Sequence, residues 1–119
     1  MYKNWPQMVT EMNRLLGELR AAQPDTMKSF AQLSQAALKG DALDARTKEL
    51  IALAISVAVR CDPCIAYHAK AAVKAGASDP EMAEAMGMAI YMGAGPSVMY
   101  AAQALEAAGQ WRDAAAAPQ

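Results

Sequence analysis

Lys48 to Ser78 reads KELIALAISVAVRCDPCIAYHAKAAVKAGAS, and both the fold and the chemistry of the chain turn on this stretch. Leu50 to Val59 is a nearly unbroken apolar run of ten residues, too short to cross a bilayer. Leu50, Leu53, Ala54 and Val57 recur at helical steps, and Leu43 and Asp44 supply an entry residue and an N-cap. The run is therefore expected to be a helix and, being apolar nearly all round, the central one. A buried strand is the alternative, since Ile51, Ile55, Val57 and Val59 are β-branched. The alanine content and the upstream cap weigh against it.

The central helix should break at Arg60-Cys61-Asp62-Pro63, because proline disfavours α geometry in the residue before it. Pro63 fits the first position of a new helix with Asp62 as its N-cap, carrying Cys64, His68 and Ala71 on one side and ending at Gly76. Ser78-Asp79-Pro80-Glu81 has capping-box spacing. It opens a helix with Met82, Met86, Ile90 and Tyr91 that stops in Gly93-Ala94-Gly95-Pro96. A last helix is expected from about Ser97 to Ala108, closed by Gly109, with Ala114 to Gln119 a frayed tail.

Upstream, Met8, Met12, Leu15, Leu16 and Leu19 share one face of a helix expected over 5–22. Asp25 is a plausible cap for a second helix, in which Met27, Phe30, Leu33 and Ala37 repeat the period up to Gly40. The sum is a single all-α domain over 1–119, a bundle of about six helices with short connections.

Composition agrees. Hydrophobic residues make up 55% of the 119, alanine foremost, with few aromatics; such a chain favours helix. Only 19% are charged. One small core hides that much apolar surface poorly, which points to a homo-oligomer. The net charge of -1 and scattered Lys and Arg leave no basic patch for nucleic acid or an anionic membrane. The N-terminus carries no charged region followed by an apolar one, so the cytoplasm is the expected compartment. There, a close cysteine pair is more often catalytic or metal-binding than structural.

The reactive groups are gathered in the central stretch as Cys61-x2-Cys64-x3-His68, with Glu49 twelve residues before Cys61. Cys64 falls in the first turn of its helix, where free backbone N–H groups and the helix dipole stabilise a thiolate. His68 lies one turn on, placed to act as base or proton relay. Cys61, one turn earlier, can close a disulfide on an oxidised Cys64. Along one continuous helix Glu49 would sit about 18 Å from Cys61. The break folds the next helix back and carries His68 toward Glu49, whose apolar surroundings suit proton exchange near neutrality.

Blander readings exist for each group. Two cysteines in a helical protein are often inert core, Glu49 alone is a solvated helix-start acid, and Cys61, Cys64, His68 and Glu49 number enough for zinc. Structural zinc commonly takes a second ligand pair from a distant segment, and none is present. Met82, Met86, Met88, Met92 and Met99 read as core or interface filler, Tyr67 and Tyr91 as structural, and Trp5 and Trp111 as packing for the ends of the bundle.

Glu49, Cys61-Asp62-Pro63-Cys64, His68, Ala71, Gly76 and Ala77 together resemble the carboxymuconolactone decarboxylase family, in its alkylhydroperoxidase AhpD-like branch. Ala89 to Ser97 resembles that family's following helix and glycine-rich turn, so the likeness runs over about 25–108. It implies an all-α fold assembling as trimers or hexamers, and a peroxidase or disulfide reductase working without haem, flavin or metal. Cys64 would attack peroxide, Cys61 would resolve the sulfenic acid as a disulfide, and Glu49 and His68 would relay protons. An external dithiol, lipoyl-type or thioredoxin-like, would reduce the pair. The chain is shorter than the longer AhpD proteins, so its reductant need not match theirs. The family's decarboxylases lack the cysteine pair, which argues against lactone decarboxylation here. That chemistry, acting on a small carboxylated ring, stands as the alternative, and a non-catalytic oligomeric or metal-binding module as the third.

Overall fold

Four of the five helix starts described carry a side-chain cap. The Asn4 side chain accepts from the Gln7 amide at 3.1 Å and opens α1, Trp5–Ala22. Asp44 accepts from the Thr47 amide at 2.8 Å and opens α3, Ala45–Ala58. Ser78 and Glu81 cap each other's amides at 3.2 and 2.8 Å and open α5, Asp79–Ala116. Hydrogen bonds from Thr47 hold the Asp44 carboxyl below the usual carboxylate range, and those from Ser78 do the same for Glu81. The remaining helices are α2, Pro24–Leu38, and α4, Asp62–Lys74. These elements come from a computed structural model that describes residues 1–117, and among the described residues there is no strand. The apolar run is thus helix.

Three expectations need correction. α2 begins at Pro24 behind Gln23, and Asp25 lies in its first turn rather than capping it. In α4 the N-cap is Cys61 and Asp62 is already helical; the Cys61 sulfur takes the capping role that Asp62 was expected to fill. Among the described residues there are five helices, not six, because the last two expected helices form one element of 38 residues. That element is nonetheless broken at Ala94, whose φ of 53° and ψ of -138° are not helical. Arg112 donates to the Asp79 carboxylate and, at 3.1 Å, to the Ala77 carbonyl, so the arm over 95–116 folds back along the arm over 79–93.

The second arm also runs through Gly109 to Ala116, beyond its expected end. Ala107 and Ala108 are buried before the glycine and the Trp111 indole donates to the Ala66 carbonyl at 2.9 Å after it, so packing outweighs the glycine penalty of about 1 kcal/mol. Of the expected tail, residues 114–116 are helical and residues 118–119 lie outside the described ones.

The core lies where α3, α4 and both arms of α5 meet. Leu53 and Val57 of α3, Ile65 and Ala69 of α4, and Met82, Met86 and Ala104 of α5 are buried there, and Trp5 of α1 closes one end. Each large apolar side chain so buried contributes on the order of 1.5–3 kcal/mol. The alanines let the helices approach closely, and α3 is central as expected. It is not covered all round, however. Ile51, Ile55 and Val59 face outward, Ile55 being 55% exposed. α2 buries no residue at all; it packs on α1, and the Lys48 ammonium holds its C-terminal end through the Ala37 and Lys39 carbonyls, each at 2.9 Å.

Candidate active site

The turn between α3 and α4 builds the site. α3 ends as the Cys61 amide donates back to the Ser56 carbonyl at 3.1 Å and the Arg60 amide to Val57 at 3.2 Å. Closing this turn puts Arg60 in the left-handed region with φ 61°, a conformation usually left to glycine. The chain reverses, and α4 runs back along α3.

Two consequences follow for the chemistry. Cys61 stands at the mouth of α4, where its Sγ accepts from the Cys64 amide at 3.3 Å. The two cysteines stand at disulfide distance with Cα atoms 5.2 Å apart, and both are half-buried, so the pair is within reach of solvent. His68, one turn past Cys64, meets Glu49 across the helix pair, Nδ1 to Oε2 at 2.8 Å. Glu49 is not the solvated helix-start acid of the bland reading: it is 7% exposed. A carboxylate at this position accepts, so a neutral imidazole that donates from Nδ1 presents a lone pair at Nε2. A ring oriented in this way can take a proton from a neighbouring thiol or give one to a leaving alkoxide.

The other candidates are placed as follows. The Tyr67 hydroxyl pairs with Asn13, and burial pushes its phenol up against the opposing pull of Arg20. Tyr91 is exposed. Met82 and Met86 are core, whereas Met88, Met92 and Met99 lie open on the surface. Among the described residues no group of three or more His, Cys, Asp and Glu side chains gathers as a metal cluster. One neighbour was absent from the sequence reading: Lys3 reaches Asp62, between the two cysteines. No local pattern could have announced a pair 59 residues apart.

The sequence profile of the Carboxymuconolactone decarboxylase family matches residues 24–107, the segment that holds the turn, the cysteines and the Glu49–His68 pair. The chain belongs to the carboxymuconolactone decarboxylase family. Its cysteine pair is consistent with the AhpD-like branch. A crystal structure of a carboxymuconolactone decarboxylase family protein from Legionella pneumophila is 44% identical, superposes with a TM-score of 0.88, and covers 91% of this chain and 96% of its own. A family member from Thermotoga maritima, for which a part in the antioxidative response has been suggested, is 33% identical with a TM-score of 0.79, covering 88% of this chain and 90% of its own. An uncharacterized protein of Cupriavidus necator is 41% identical over 97 residues, 82% of this chain and 86% of its own. The carboxymuconolactone decarboxylase family contains both decarboxylases and AhpD-like peroxidases, so membership leaves the reaction to be argued from the site.

Proposed function

We propose that this protein is a thiol-dependent peroxidase or disulfide reductase of the cytosol. The observation that carries the reading is a Cys61–Cys64 pair at disulfide distance at the mouth of α4, with a hydrogen-bonded His68–Glu49 pair one turn behind it. In the reduced protein the Cys64 thiolate attacks the outer oxygen of a hydroperoxide. The O–O bond breaks, Cys64 becomes a sulfenic acid, and the departing alkoxide takes a proton relayed through His68 and Glu49. The Cys61 thiol then attacks the sulfenic sulfur, water leaves, and the disulfide forms.

An external dithiol, lipoyl-type or thioredoxin-like, returns two electrons and two protons. In that step the Cys64 amide at the Cys61 sulfur favours negative charge on Cys61 as the leaving thiolate, which directs the incoming thiol to Cys64. The suggested antioxidative role of the Thermotoga maritima relative supports the same chemistry. No haem, flavin or metal enters these steps.

The test is hydroperoxide turnover with dihydrolipoamide as donor. Cys64→Ser should abolish it, and Cys61→Ser should stop multiple turnover after one sulfenic acid per chain. Turnover indifferent to Cys64→Ser, or to alkylation of both thiols, would overturn the proposal in favour of decarboxylase-like chemistry.

The working unit in this proposal is a homo-oligomer, a trimer or hexamer. Ile51, Ala54, Ile55 and Ala58 of α3 with Met88, Ala89 and Met92 of α5 line an apolar groove of about 250 Å³ that none of the described residues covers. α2 carries Phe30 and Leu33 equally exposed. Surfaces of this kind are rare on monomers.

A further inference from the structure

Residues Tyr2 to Asn4 precede α1 and, with Trp5 at its start, lie outside the segment matched by the family profile, yet they are tied to the redox turn. One face of the second arm of α5 receives them. Glu106 accepts from the amides of Tyr2 at 2.6 Å and Lys3 at 2.9 Å and from the Trp5 indole at 2.9 Å. Gln110 donates to the Lys3 carbonyl at 2.7 Å and accepts from the Trp5 amide at 2.8 Å. The Lys3 ammonium stands 5.4 and 5.5 Å from the ring centres of Tyr2 and Trp5, donates to Gln103 at 2.6 Å, and pairs with the Asp62 carboxylate.

An isolated surface ion pair contributes little, largely because two long side chains must be ordered to make it. Here the ordering is already done by Glu106, Gln110 and the buried Trp5. The position of Asp62 gives the pair its meaning. It is the only acid between the cysteines and occupies the first position of α4. Chain geometry keeps its carboxylate within about 10 Å of both sulfurs. A carboxylate so close disfavours a second anion on the same helix mouth, against the helix dipole that favours one.

We propose that Lys3 is a positioning residue of the dithiol site: its ammonium neutralises Asp62 and so raises the fraction of thiolate that reduced Cys61–Cys64 carries near neutral pH. The inference rests on the dithiol reading of the site but not on peroxide being its substrate. The other titratable or charged groups near the pair are His68 of α4, Glu49 of α3, Arg60 of the turn, Glu106 of α5 and the N-terminal ammonium that acts on Glu106. Of these, Glu49 is occupied by His68, and Glu106 by the N-terminal amides.

The experiment is a four-member cycle on the reduced full-length protein, reading ultraviolet thiolate absorbance near neutral pH at low ionic strength. Lys3→Gln should lower the thiolate fraction by about two- to fifteenfold, the Coulomb range for unit charges about 10 Å apart between bulk and protein-surface screening. Lys3→Arg should keep the wild-type fraction. In an Asp62→Asn background Lys3→Gln should cause a clearly smaller loss, because the carboxylate that holds the ammonium beside the cysteines is gone. No loss in Lys3→Gln, or an equal loss in both backgrounds, would overturn the inference; the latter would mean that the N-terminal segment had merely undocked. Since no peroxide is used, a protein showing the expected cycle but no peroxide turnover would sink the peroxidase reading and leave the Lys3 assignment standing.

Discussion

His68 and Glu49 form a couple in which the buried carboxylate decides what the half-buried ring can do. With Nδ1 committed to Glu49 at 2.8 Å, only Nε2 can exchange protons with sulfur or substrate. Glu49→Gln keeps the shape but can present an amide donor to Nδ1 and so favour the wrong tautomer. Peroxide turnover is expected to fall about tenfold to a hundredfold with both thiols still titratable, measured as kcat with excess dithiol. Glu106 acts on stability instead. The Tyr2 amide first, then that of Lys3, holds its carboxyl below the ordinary value of 4.5. A depressed carboxyl stabilises the fold at pH values above that ordinary value and loses its contribution as pH falls through the folded-state value. The wild-type thermal midpoint should therefore drop on acidification below about pH 4.5, and Glu106→Gln should show a shallower drop. An equally steep drop would show that other carboxylates carry it.

Helix ends, more than helix interiors, place the site. The left-handed Arg60 lets α4 turn back against α3, and the break at Ala94 lets the second arm of α5 return to receive the N-terminal segment. That break is held by a close approach: a Cβ on Gly93 would stand 1.9 Å from Ser97 Oγ and 3.0 Å from its Cβ, and Ser97 is 2% exposed. Gly93→Ala should cost about 1–3 kcal/mol in denaturant unfolding, as overpacking does. Adding Ser97→Ala should recover part of it, because the nearer atom is removed and the farther remains. Wild-type stability in Gly93→Ala would mean that the arms shift freely at Ala94. These hinges were partly legible. Gly93, Gly95 and Pro96 announced a break, but only packing of the two arms could make it a one-residue reversal.

For the whole molecule, the exposed stripe of Ile51, Ile55, Met88 and Met92 and the uncovered α2 are surfaces that a second copy would bury. Sedimentation of the wild type should give a trimer or hexamer. Ile55→Asp with Met92→Asp should shift it toward a folded monomer, since a charge in a closed apolar interface is costly. A wild-type monomer would refute the assembly, and an unchanged oligomer in the double variant would move the interface elsewhere. Among the described residues no helix is long and apolar enough to cross a membrane, so the exposed stripe is not part of a helical span.

What the sequence alone determined is what short-range physics controls. Apolar periodicity and side-chain caps at Asp44 and Ser78 set two of the helix starts, and the Cys-x2-Cys-x3-His spacing put its three groups on successive turns of one helix end. The fold-back that brings His68 to Glu49 was legible as far as proline forces a break after the central run. The capping role of Cys61 was not, because a cap depends on which neighbour first points at the free amides. Only the tertiary structure decided that Glu49 is buried, that α3 is bare on one side, that Gly109 is carried within a helix, and that Lys3 meets Asp62. Each depends on contacts between segments far apart in the chain. Local propensities of a few tenths of a kcal/mol neither encode nor resist such contacts once a packed core supplies several times more.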